Sequence, residues 1–153
     1  MGRISTQYFP GSKIDVASVN TGGFSGKVYA NGTTTYSVVG ATFPGPGVKV
    51  TADGRVSGEV RFVTVENTDN TINVQGFPII DLTVASKSGA TVCQPGDSGG
   101  PWYVHVGNTG GVSAAGQQVA EREDPNGQLD PSVCAYQQIN DILTLVNGTI
   151  LTV

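Results

Sequence analysis

Residues 91 to 103 read TVCQPGDSGGPWY, and within them Ser98 stands between Asp97 and a pair of glycines. A serine hydroxyl attacks a carbonyl only when a base removes its proton and donors stabilise the oxyanion that forms. Glycines on both sides keep Cβ atoms out of the way, so the backbone N–H groups of Gly96 and Ser98 are candidates for an oxyanion hole. Asp97, between them, suits holding the bend by hydrogen bonding or an ion pair. The chemistry implied is acyl transfer with Ser98 as nucleophile.

Such a serine needs an imidazole or equivalent base within hydrogen-bond reach. The sequence contains one histidine, His105. It follows the serine along GPWYVHV, which reads as a single extended strand, and seven residues at ~3.3 Å each put it about 20 Å away. His105 is therefore expected at the far end of a strand, away from Ser98. Two cysteines, Cys93 and Cys134, lack the spacing of a zinc site. They form either one disulfide, which implies an oxidising compartment, or two buried thiols. No metal or organic cofactor is implied.

The elements that must position Ser98 are short strands. Of 153 residues only 13% are charged, and 22 glycines and 8 prolines punctuate runs of Val, Thr and Ile, which is the pattern of an all-β chain with tight turns. Strands are expected at 13–20, on both sides of Asn31-Gly32 within 26–40, and at 47–51, 57–67, 71–84, 100–106 and 111–120. The charged stretch 121–132 reads as a surface loop. Ile139, Ile142, Leu143 and Val146 recur at helical spacing, with Gly148 as a stop, and predict one helix over 139–147. The net charge of −4 offers no basic footprint for nucleic acid. No apolar run is long enough to cross a bilayer and no signal peptide opens the chain.

The GDSGGP core with its upstream VCQP resembles the nucleophile motif of chymotrypsin-like (trypsin-like) serine endopeptidases, most of all the small secreted bacterial streptogrisin and α-lytic type. FPGSKIDVASV (9–19) is similar to the segment that carries the triad aspartate of that family, which gives Asp15 the role of orienting the histidine. GVSAAG (111–116) resembles the strand that pairs with substrate. By that resemblance Thr91, Val92, Ala114, Ala115 and Gly116 line the primary specificity pocket; these residues carry no charge, so the side chain before the scissile bond is expected to be apolar. A Cys93–Cys134 bridge would span a modified pocket wall.

The resemblance implies a six-stranded antiparallel Greek-key barrel with a C-terminal helix, the second of two barrels, over 44–153, with 1–43 as a remnant of the first barrel and its linker. It implies a serine-type endopeptidase of secreted bacterial origin acting on polypeptides. It also answers the question of the base: the family histidine precedes the aspartate, so here it is expected upstream, on another chain, or lost. An exposed docking face for a complementary N-terminal barrel, or self-association, follows. Two departures bear on activity. Alanine occupies position 114 where the family's serine supports the aspartate, and Ala52-Asp53-Gly54 replaces an arginine-containing turn, leaving Arg55 as the substitute partner for Asp97. The alternative reading is a non-catalytic pseudo-protease barrel that binds peptide or a partner chain.

Overall fold

The computed structural model describes residues 3–7, 17–20, 25–31, 33–74, 76–108, 110–123 and 126–153. Among these residues ten strands and one short helix follow one another. β1 (Arg3–Gln7) and β2 (Ala17–Asn20) form an antiparallel two-stranded sheet. The remaining strands are β3 (Lys27–Ala30), β4 (Thr34–Ala41), β5 (Lys49–Gly54), β6 (Gly58–Val74), β7 (Phe77–Ser86), β8 (Pro101–Val106), β9 (Gly111–Glu123) and β10 (Leu129–Gln138). They form one sheet in the order β10-β7-β6-β5-β8-β9-β4-β3, and β10 also pairs with β9. That last pairing joins β5, β6, β7, β10, β9 and β8 into a ring of six hydrogen-bonded strands. Within it β5, β6 and β7 run as a meander and β8 returns beside β5, the strand order of a Greek key.

The interior of the ring is built from inward residues of every strand. Val50, Ala52, Val63, Val65, Ala85, Trp102, Ala115, Cys134 and Tyr136 form one buried cluster with Val92 and Cys93. The Trp102 and Tyr136 rings stack at 4.5 Å with an interplanar angle of 17°, and the Trp102 indole N–H donates to Gln118 Oε1 at 2.7 Å. A buried indole thereby keeps its hydrogen bond while its rings fill the core. Cys93 and Cys134 are joined by a disulfide with Cα atoms 6.2 Å apart, so the segment leading to Ser98 is tied covalently to β10.

Several boundaries differ from the sequence expectation. Residues 71–84 are not one strand: β6 runs through to Val74 and β7 starts at Phe77, with Gly76 at φ 84° in the intervening turn. Glycine there adopts the left-handed region without a Cβ penalty. The loop expected over 121–132 is shorter, because β9 continues to Glu123 and β10 begins at Leu129. Strand β10 was not foreseen; Pro131 and the unbroken buried run Val133–Gln137 disguise its alternation. The hairpin at Asn31 is present, with Asn31 at φ 49° between β3 and β4. The helix α1 covers Ile139–Val146, and Asn147, at φ 50°, caps it. The Gly148 N–H then reaches back to Leu143 O at 2.9 Å, a Schellman-type ending. Of the predicted strand 13–20, only 17–20 lies among the described residues.

Candidate active site

The Ser98 segment lies between the buried Val92–Cys93 pair and β8. Its bend is fixed by main-chain hydrogen bonds: Asp97 N–H donates to Gln94 O at 3.1 Å, Gly100 N–H to Asp97 O at 2.8 Å, and Gly99 N–H to Gln118 O at 2.9 Å. Gln118 N–H returns the last contact to Gly100 O at 2.8 Å. The N–H groups of Asp97, Gly99 and Gly100 are thus committed within the protein. Those of Gly96 and Ser98 have no protein acceptor among the described residues. Gly96 sits at φ 102°, and a Cβ there would come within 2.9 Å of Val56, so the bend requires glycine at this position.

Asp97 is the internal brace of this bend. It is 2% exposed, and its Oδ1 accepts the N–H of Val56 at 2.6 Å and of Ser57 at 3.2 Å, while Oδ2 accepts the N–H of Gln94 at 3.0 Å. Burial alone would raise its pKa, but the contacts from Ser57, Val56 and Gln94 outweigh that and hold the carboxyl below its ordinary value. Main-chain donors take the place of the expected guanidinium partner. Arg55 is exposed and stands at the rim of the adjoining cavity. Gly54 makes the approach possible, since a Cβ there would fall 2.2 Å from Asp97 Cγ.

Ser98 itself is exposed and lines a cavity of about 560 Å³. Tyr29, Asn31, Asp53 and Arg55 also line it. Asn31 ties this wall together, because its side-chain Oδ1 accepts the Glu59 N–H at 2.9 Å. Sequence reasoning missed Asn31 and Asp53 as cavity residues. The β3–β4 turn that carries Asn31 meets β6 only through tertiary folding, and no motif announces that meeting.

The other predicted residues are distributed as follows. Asp15 lies outside the described residues. His105, on β8, has its Nε2 3.3 Å from Glu59 Oε1, and its ring lies edge-on to Tyr36 and Tyr103; it does not line the Ser98 cavity. Thr91 is exposed, whereas Val92 is 1% exposed within the core. Ala114 packs with Val38, Tyr103 and Val112, and Ala115 is fully buried. Gly116 abuts Gln137, whose carbonyl oxygen would be 2.1 Å from an added Cβ. None of Ala114, Ala115 and Gly116 lines the cavity. The pairing of Trp102 with Gly116 and of Tyr103 with Ala114 includes a register shift, so β9 meets the nucleophile bend two residues beyond Gly116, at Gln118.

No protein-family model matches the chain, and no curated protein matches it. Solved structures do. A glutamic acid specific serine protease superposes with a TM-score of 0.78 at 18% identity, over 98% of this chain and 73% of that one. Thermobifida fusca protease A gives 0.76 at 24% identity over 99% and 75% of the two chains. Cellulomonas bogoriensis chymotrypsin gives 0.76 at 24% identity over 99% and 76%. With the six-strand ring, the Greek-key order and the glycine-flanked Ser98 bend, these likenesses establish that the chain has the chymotrypsin-like fold of bacterial serine proteases.

Proposed function

We propose that the chain is the nucleophile-bearing part of a secreted serine endopeptidase. Ser98 Oγ attacks the carbonyl carbon of a peptide bond while a histidine takes its proton; the tetrahedral oxyanion is received by the Gly96 and Ser98 N–H groups; the histidine then protonates the leaving amine, and water releases the acyl group. Asp15 orients that histidine, which on this reading comes from outside the present chain. The observation that carries the proposal is the division of donors in the bend. The N–H groups of Asp97, Gly99 and Gly100 are used internally, while those of Gly96 and of the exposed Ser98 have no protein acceptor among the described residues.

On this reading residues 1–43 are the remnant of a first barrel, and a complementary N-terminal half is the expected partner. Among the described residues β3 is paired on one side only, and Tyr29, Val39 and Phe43 are 66%, 48% and 58% exposed. An open strand edge beside apolar side chains is a surface prepared for pairing. The disulfide supports an oxidising, extracellular setting. The test is reaction of Ser98 with a fluorophosphonate probe, alone and with a histidine-bearing N-terminal half. Little labelling alone and a marked rise on mixing support the enzyme; no labelling in either case contradicts it. The engagement of His105 by Glu59 favours a second reading, a pseudo-protease barrel that binds peptide without cleaving it, which that last outcome would select.

A further inference from the structure

The Ser98 cavity contains a polar feature that peptide-bond attack does not use. Asp53 is 6% exposed and lines the same cavity. The main chain of Asn31 lies beside its carboxylate and lowers its pKa. The Tyr103 hydroxyl lies 3.5 Å from Asp53 Oδ2 and 3.2 Å from Glu59 Oε1. A phenol has one proton to donate, and burial together with the two carboxylates pushes the Tyr103 pKa far up, so that proton is retained. The shorter distance favours Glu59 as its acceptor and leaves Asp53 at the edge of hydrogen-bond reach. Glu59 also accepts from Arg61 Nε at 3.0 Å and faces His105.

Beyond the Asn31 and Tyr103 contacts Asp53 keeps spare acceptor capacity, and among the described residues it has no ion-pair partner. Arg61 is taken by Glu59, and among the described residues no ion pair joins Arg55 to Asp53. Burial is the main cause that raises its pKa, with Glu59 and Asp97 adding to it, while the Asn31 main chain and the Tyr103 hydroxyl lower it in part. A buried carboxylate that opens onto a cavity is best satisfied by a charged donor. We propose that Asp53 anchors a subsite beside Ser98 for the guanidinium or ammonium side chain of a bound polypeptide. As a statement about substrate the inference rests on the protease reading. The subsite is distinct from segments 90–92 and 114–116, none of which lines this cavity.

Binding is measured on the Ser98→Ala chain by calorimetry, so that the result does not depend on catalysis. The probes are a short alanine-based peptide containing one arginine and the same peptide with citrulline, its neutral isostere. The arginine peptide is expected to bind at least about tenfold tighter, as a charge-assisted hydrogen bond allows. Adding Asp53→Asn should erase the preference, while Glu66→Gln, which removes an exposed carboxylate elsewhere on β6, should leave it. Equal affinities for the two peptides, or an arginine preference that survives Asp53→Asn, would overturn the proposal. Should Asp53→Asn fail to fold, the same comparison against pH decides. With Glu59, Asp97, Tyr103 and Arg55 around Asp53, the preference must decline as the carboxyl is protonated, and a preference independent of pH overturns it. Failure of Ser98 to react with the fluorophosphonate would count against the protease reading alone.

Discussion

Asp97 Oδ1 and the Val56 N–H are 2.6 Å apart across 41 residues of sequence. This contact ties the Ser98 bend to the β5–β6 turn, and through it the position of Ser98 depends on a buried carboxylate with main-chain partners. Asp97→Asn replaces one acceptor oxygen by an NH₂ that must face an N–H donor. The expected loss is about 2–3 kcal/mol of stability, read as a lower urea midpoint with an unchanged slope. Asp97→Glu, which keeps the charge and not the reach, should recover only part of it.

Acid should expose the same brace. The Asp97 carboxyl is held below its ordinary value of 3.8 in the folded chain. In the window between the folded and unfolded values the unfolded state binds more protons, so this contribution is complete above about 4 and is lost as pH falls through the depressed folded value. Asp53 has the opposite sign: its pKa is raised, so its ionisation removes stability as pH rises from 3.8 through its folded value. Urea unfolding between about pH 2 and about pH 7 should therefore show Asp97→Asn flattening the acid limb. Asp53→Asn should steepen the net gain in stability with pH.

Gly54 offers a steric test of the same contact. Its absent Cβ would fall 2.2 Å from Asp97 Cγ, and overpacking of this kind costs about 1–3 kcal/mol. Gly54→Ala should lower Tm and slow labelling of Ser98 together. Gly40→Ala meets nothing within 4 Å and should change Ser98 labelling little.

The Cys93–Cys134 bridge closes a separation of 41 residues. The loop-entropy relation gives about 4 kcal/mol for a loop of that size, and the paired Cys93→Ala, Cys134→Ala variant should lose close to that in denaturant unfolding. Since Cys93 enters the bend that carries Ser98, the remaining folded fraction should also label more slowly.

The sequence was informative where a physical signal is local. Asn31 at a hairpin, the helical spacing from Ile139 to Val146, and glycines around Ser98 each report backbone geometry at their own position, and the structure has the hairpin, the helix and the bend. It was less informative where burial on both faces removes alternation. Val133–Gln137 is buried throughout, so the alternation that would mark β10 is missing and no strand is predicted there, and the β6–β7 turn at Gly76 is not separated in the expected strand 71–84. The cavity opposite Ser98 was invisible for another reason: Asn31, Asp53 and Ser98 come from three separate segments whose meeting is decided by strand order. The register of β9, which puts Gln118 rather than Gly116 against the bend, depends on a shift between Tyr103 and Trp102 that no residue type announces.

The central claim is that Ser98 is presented for attack and lacks only an imidazole. The most direct measurement is the rate of fluorophosphonate labelling with increasing free imidazole, using Ser98→Ala and His105→Gln as controls. Slow labelling confined to Ser98, accelerated by imidazole and indifferent to His105→Gln, is the predicted result. Labelling that persists in Ser98→Ala, or a native rate that imidazole leaves unchanged and His105→Gln abolishes, would contradict it.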